Sequence, residues 1–391
     1  MTSKTRQQTY LSRRVQDMPA SGIRRFFDLL GSIDGVISLG VGEPDFVTPW
    51  HIRDAAIRSL ERGQTHYTSN YGLPELRRAL SAKLGDLYGL RYDPASELLV
   101  TAGVSEGLQL ALSAILDPGD EVLCPDPYYV AYLPCTELAG GKFVPVPTEM
   151  ENDFKVRAAD LERRITDRTK VILLGYPANP TGAVLDADDL KAVAAVASEH
   201  DLVVVADEIY DRLTYGRKHV PFASLPGMRG RTITLGGFSK AYAMTGWRVG
   251  WIAAPAELVE GMMKVHQYVM MSAPTPAQHA AIEALKFGED DVRSMVGEYN
   301  LRRRMIVDGF NEMGLLCFEP RGAFFAFPSI RSTGLTDMEF AERLLMEERV
   351  AVVPGSAFGD GGRGHVRACY AASTDEIDEA LRRIKAFVGR C

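Results

Sequence analysis

Lys240 stands in T-L-G-G-F-S-K-A-Y-A-M-T-G-W-R-V-G-W (234–251), with Arg248 eight residues further on. An amine that follows an apolar run and a Gly-Gly pair suits imine formation with an aldehyde, and a nearby guanidinium suits a phosphate group. One such lysine proves little, since most lysines are solvated surface charges. Other segments supply the remaining parts that this chemistry needs.

L-L-V-T-A-G-V-S-E-G-L-Q-L-A-L (98–112) reads as strand, glycine turn and helix. The amides of Val104, Ser105 and Glu106 then open a helix, where free N–H groups and the helix dipole favour a phosphate. A plain connecting turn capped by Ser105 is the alternative. Y-P-A-N-P-T-G (176–182) fixes a rigid loop around Asn179, whose amide can donate to a ring oxygen or a carboxylate. V-V-V-A-D-E-I-Y (203–210) ends an apolar strand on Asp207. A carboxylate there calls for a cation, and a protonated heteroaromatic nitrogen is one; a helix cap or a buried ion pair would also account for it. Tyr210, three residues on, could donate to an oxygen of the same ring. D-P-Y-Y-V-A-Y (126–132) offers aromatic faces, either for stacking or as filler. G-H-V-R-A-C-Y (364–370) sets Arg367 in an apolar strand, where its fork matches a carboxylate ligand or a structural salt bridge.

These residues need a frame. Strand-like runs fall at 98–101, 121–124, 171–174, 202–206, 232–235 and 249–253, alternating with helical patterns. The run L-V-V-V-A-D lacks polar alternation, as a strand buried on both faces should. Over 189–200, Leu190, Val193, Ala194 and Ala197 recur at helical spacing, with Asp186 as the expected N-cap. Strands alternating with helices predict an α/β fold with a largely parallel sheet. After about residue 287 a charged helix leads into shorter strands near 323–327, 350–353 and 366–370, which predicts a smaller α+β domain. The expected division is an N-terminal arm and short helix over 1–33, a large domain over 34–287 and a small domain over 288–391.

The 391 residues carry a net charge of −7 with no basic block, so no nucleic-acid footprint is present. No apolar run of membrane-spanning length occurs, and the first twenty residues hold no signal-like stretch. Five cysteines without a CxxC pair read as reduced thiols, and a cytoplasmic location is expected.

S-L-G-V-G-E-P-D-F, H-Y-T-S-N-Y-G-L-P-E-L-R, Y-P-A-N-P-T-G, D-E-I-Y, F-S-K-A-Y-A-M-T-G-W-R-V-G and P-G-S-A-F-G resemble the class I pyridoxal-phosphate aminotransferases of fold type I, in order along nearly the whole chain. The resemblance implies that Lys240 carries the Schiff base with pyridoxal 5'-phosphate and that Asp207 pairs with the pyridine nitrogen. It implies that Asn179 and Tyr210 bind the phenolic oxygen, and that Tyr129 stacks on the ring, where relatives often carry tryptophan. Arg248 and the amides of Val104, Ser105 and Glu106 would hold the phosphate. Arg367, with Asn179 and the backbone of Gly40, would bind the substrate carboxylate. Tyr67 would reach the phosphate of a neighbouring subunit, which implies a homodimer with shared sites. Two positions depart from the pattern. Gly237 replaces a serine common in relatives, and Glu106 replaces a hydroxyl found in some, so its carboxylate must point away from the phosphate.

The implied reaction is ping-pong transfer of an amino group from an L-amino acid to a 2-oxo acid such as 2-oxoglutarate. Segments 21–26 and 270–276 are expected to line the side-chain pocket. With no arginine placed for a distal carboxylate, aromatic or broad specificity is favoured, with aspartate and diaminopimelate-type donors as further options. Within the same fold a C–S lyase or an aminocyclopropane-carboxylate synthase is the alternative. A serine hydrolase is a distant one. G-V-S-E-G (103–107) matches the nucleophile elbow around Ser105, and Asp207 and His365 follow in order, but no oxyanion segment precedes them. G-D-G-G-R-G (359–364) matches a dinucleotide fingerprint yet precedes a strand. No metal-ligand cluster is evident.

Overall fold

The computed structural model describes residues 10–12, 15, 16, 18 and 34–391. The expected arm and short helix over 1–33, and the pocket segment 21–26, lie almost wholly outside these residues.

Twelve strands are described: β1 (Ile37–Ser38), β2 (Leu98–Thr101), β3 (Glu121–Asp126), β4 (Lys142–Pro147), β5 (Thr169–Gly175), β6 (Val203–Asp207), β7 (Thr232–Gly237), β8 (Gly250–Ala253), β9 (Phe325–Ala326), β10 (Val350–Ala351), β11 (Val353–Pro354) and β12 (Val366–Cys369). Seven of them form one sheet in the order β2-β8-β7-β6-β5-β3-β4. β8 runs antiparallel to both its neighbours, and every other pairing is parallel. The six strands anticipated from sequence are all present, with ends displaced by at most two residues.

Alternate side chains of each inner strand enter different cores, as the two-residue period of a strand requires. Ile172, Leu174, Val204 and Ala206 join one cluster with Leu190, Val193 and Ala197 of the helix Ala187–Glu199. Val171, Leu173, Val205, Ile233 and Ile252 join the other, with Leu108 and Leu112 of the helix Val104–Ile115. Both faces are therefore covered by helices, and β6 and β7 are buried nearly throughout. The helix Ala187–Glu199 starts two residues before its expected position. Asp186 caps it, accepting from the amides of Asp188 and Asp189 in a reciprocal capping box.

Two features escape the sequence reading. β4, K-F-V-P-V-P, carries two prolines and is tolerated because it forms the sheet edge, paired only with β3. The single run expected over 350–353 divides. β10 pairs with β1, whereas β11 joins β12 and β9 in a three-stranded antiparallel sheet. The chain between β9 and β12 thus ties residues 37–38 to the C-terminal part.

Candidate active site

The carboxyl ends of β2, β5, β6 and β7 carry the loops with the unusual residues, where an open α/β sheet binds ligands. They enclose a cavity of about 380 Å³, lined among others by Val104, Ser105, Tyr129, Asn179, Asp207, Tyr210, Lys240, Arg248 and Arg367. Nine predicted residues from six separate segments therefore meet at one place.

Lys240 lies just after β7. Its Nζ donates to the carbonyl of Gly42 at 2.7 Å, and burial pulls the amine down to about 8. An ammonium is costly where burial strips part of its hydration, and the neutral amine is the nucleophile. Asp207 ends β6, and its burial raises the carboxyl to about 6. Tyr132 donates its hydroxyl to Asp207 Oδ2 at 2.9 Å, and the amide of Ile209 donates to Oδ1 at 3.2 Å. Tyr132 was not anticipated as a site residue. The only sequence signal is its place three residues after Tyr129 in the same aromatic segment; the two rings pack edge to face at 5.5 Å. Gly42 is a second unanticipated contact.

At one end of the cavity the helix Val104–Ile115 opens with Gly103 as N-cap, not Ser105, and no side chain caps it. Gly103 has φ +83°, and a Cβ there would lie 2.6 Å from Arg248 Nη2. A Cβ on Gly250 would lie 2.8 Å from the Gly103 carbonyl carbon. Glycine at both positions lets Arg248 approach the open amides, the arrangement a phosphate needs. Arg248 donates to the carbonyls of Thr245 (3.0 Å) and Ala102 (3.4 Å). Glu106 turns away as expected. Its oxygens accept from His266 Nδ1 at 2.6 Å and from the Ala102 amide. A serine at Gly237 would crowd the site, because a Cβ there comes to 3.1 Å from Ile209 Cδ1 and 3.3 Å from Gly250 Cα.

At the other end, Arg367 of β12 is 3% exposed. Nη1 donates to Asn179 Oδ1 at 2.8 Å and Nη2 to the carbonyl of Gly40 at 2.6 Å. Phe325 and Phe358 stack against the guanidinium at 4.5 and 4.8 Å. Nε has no partner, so a buried cation is held in place with donor capacity left for an anion. Burial lowers its pKa from the usual arginine value. The loop bearing Asn179 is fixed by Gly182, whose Cβ would meet Pro320 at 2.5 Å. Tyr210 is buried and its ring packs edge to face on Phe324 and Phe325.

Tyr67 does not join this cavity; it lies on the surface with 82% of its area exposed. His365, the base that a Ser105 hydrolase would need, is stacked on Phe327 and does not line the cavity. The glycines at 359 and 361 have a packing purpose. A Cβ at Gly359 would lie 2.2 Å from Asp126 Oδ1, and Gly361 donates its amide to Asp126 Oδ2 at 3.0 Å.

A seven-stranded, mostly parallel sheet covered by helices and a cavity with an amine, a buried carboxylate and two guanidinium groups define an α/β transferase of the aminotransferase kind. The profile of the family Aminotransferase class I and II matches residues 34–384. The Bacillus subtilis (strain 168) protein YugH is 51% identical over 380 residues, covering 97% of this chain and 98% of that protein. The aspartate aminotransferase of Pyrococcus abyssi is 46% identical, covering 96% of this chain and 97% of that one. The solved structure of an aromatic aminotransferase from Pyrococcus horikoshii OT3 superposes with a TM-score of 0.90 at 45% identity, covering 93% of this chain and 99% of that one. The chain belongs to the class I and II aminotransferases and is an aminotransferase. Among its described residues, no helix is long and apolar enough to cross a membrane.

Proposed function

We propose that this aminotransferase uses pyridoxal 5'-phosphate, and that its donors are aromatic or a broader set of L-amino acids, with 2-oxoglutarate as acceptor. The observation that carries the cofactor reading is the shared cavity of Lys240 and Asp207, an amine lowered to about 8 and a buried carboxyl raised to about 6. The glycine-lined helix opening beside Arg248 suits the phosphate, and the orphan Nε of Arg367 suits an α-carboxylate. When bound, the cofactor supplies an electron sink for the substrate's α-carbon.

The chain's own residues do the rest. Lys240 Nζ would hold the cofactor's aldehyde and, once freed, would take and return the substrate's α-proton as base and acid; an amine near 8 is suited to both. Asp207 would pair with the ring nitrogen, with Tyr132 and the Ile209 amide fixing its orientation. Asn179 and Tyr210 would address the phenolic oxygen, and Tyr129 would stack on the ring. Arg367 orients the substrate by its carboxylate, with Gly40 and Asn179 holding the guanidinium. Tyr67, exposed on one protomer, would complete the phosphate site of a partner in a homodimer. Residues 34–287 would form the cofactor-binding domain and 288–391 the smaller one, and the protein would work in the cytoplasm with free thiols.

The donor preference rests on the cavity's lining. Lys240, Arg248 and Arg367 are its lysine and arginine side chains among the described residues, and each has a role; Val41, Val104, Leu108, Val130 and Ile209 supply apolar surface. Relatives are named for aspartate, aromatic amino acids and N-acetyl-LL-diaminopimelate. A donor panel against 2-oxoglutarate tests the preference. Phenylalanine and tyrosine should equal or exceed aspartate in kcat/KM, and a hundredfold advantage for aspartate would overturn it.

A further inference from the structure

Behind the helix opening lies a pair of groups that the reaction does not use. His266, in the helix Ala256–Val269, is wholly buried, and its Nδ1 lies 2.6 Å from Glu106 Oε1. A carboxylate only accepts, so Nδ1 carries the hydrogen. The second nitrogen, Nε2, has no partner. A leucine would fill such a slot without leaving a buried nitrogen unsatisfied, so the histidine's presence calls for a purpose. The other Glu106 oxygen accepts from the amide of Ala102, and the carbonyl of Ala102 accepts from Arg248 Nη2 at 3.4 Å. A continuous chain of contacts thus runs His266, Glu106, Ala102, Arg248.

We propose that Glu106 and His266 are a positioning pair that braces the phosphate cradle from behind. The backbone there needs bracing at Arg248, a non-glycine residue in the left-handed region (φ +52°). Such conformations persist only where surrounding contacts over-determine them. The pair also keeps both Glu106 oxygens occupied on the side away from the cavity, which neither Glu106 nor His266 lines. A carboxylate at the third position of that helix would otherwise be free to swing toward the incoming phosphate and repel it. This inference rests on the cofactor reading above.

The test compares cofactor affinity with and without the phosphate. Apoenzyme of the full chain is titrated with pyridoxal 5'-phosphate and with pyridoxal, following the visible band, for wild type, His266→Leu, Glu106→Ala and His266→Asn. His266→Leu and Glu106→Ala should each weaken pyridoxal 5'-phosphate by about tenfold or more while changing pyridoxal by less than about twofold. His266→Asn, whose amide nitrogen replaces Nδ1, should recover most of the loss. Equal weakening of both ligands, or none, overturns the proposal. Should wild type bind neither ligand, the cofactor reading falls with it. If wild type is loaded at Lys240 and the variants match it, only the role of the pair falls.

Discussion

Asp207 and Glu208 are consecutive, equally acidic and nearly equally buried, at 5% and 6% exposure, yet they face opposite cores. Strand alternation sends Asp207 to the side of the helix Val104–Ile115 and Glu208 to the side of Phe222. Glu208 is satisfied by the protein. It accepts from the Phe222 amide at 2.9 Å, and His219 Nε2 stands 3.1 Å away as an ion-pair partner. The cavity on that side holds about 30 Å³, against about 380 Å³ beside Asp207. Asp207 receives one hydroxyl and one amide and faces the larger space. Two buried carboxylates thus separate by what stands beside them, a histidine of the chain for one and an open cavity for the other. Burial alone does not mark a functional acid; a buried carboxylate beside a cavity, with no ion-pair partner among the described residues, does.

The comparison can be broken at several points. Lys240→Ala should lower turnover by more than roughly four orders of magnitude, since both the anchor and the proton carrier go; activity within tenfold of wild type would remove Lys240 from the chemistry. Asp207→Ala should cost about 10³ in kcat, in steady-state assays with saturating cofactor. Glu208→Gln should leave kcat within about twofold and destabilise the fold by about 1–3 kcal/mol in thermal unfolding, because His219 loses its carboxylate partner. If Glu208→Gln lost activity as Asp207→Ala does, the division between the neighbours would fail.

The smallest effect sharpens the contrast through pH. Burial alone would pull His219 down, but Glu208 and Asp211 leave it raised above 6.5. Its contribution to stability is therefore complete below 6.5 and lost as pH rises through the raised value. Asp207 carries the opposite burden, since a carboxyl raised from 3.8 to about 6 costs the apoprotein stability as pH rises between those values. Asp207→Asn apoprotein should gain on wild type over that window, by at most roughly 3 kcal/mol. The deficit of Glu208→Gln should instead be largest below 6.5 and shrink as pH rises. Denaturant unfolding at a series of pH values reads both.

Most of the frame was legible because β2, β3, β5, β6, β7 and β8 are apolar runs bounded by helical patterns. β4 was not, since its prolines read as loop and only its edge position admits them. The division of 350–354 between two sheets was equally hidden, because it depends on pairing with Ile37–Ser38, which are distant in sequence. In the site, Lys240, Asp207 and Arg367 were legible as charges at the ends of, or inside, apolar strands. Tyr132 and Gly42 were not. A tyrosine in an aromatic cluster and a glycine carbonyl carry no chemical signature until the fold sets them against Asp207 and Lys240.

The central claim is that the Lys240 amine anchors an aldehyde cofactor, and it can be read directly. The purified protein is treated with borohydride and digested, and the peptides are sequenced by mass spectrometry. A pyridoxyl-phosphate adduct on the peptide containing Phe238 to Tyr242, at Lys240 itself, is the predicted result. An unmodified Lys240, or an adduct on a different lysine, would contradict it.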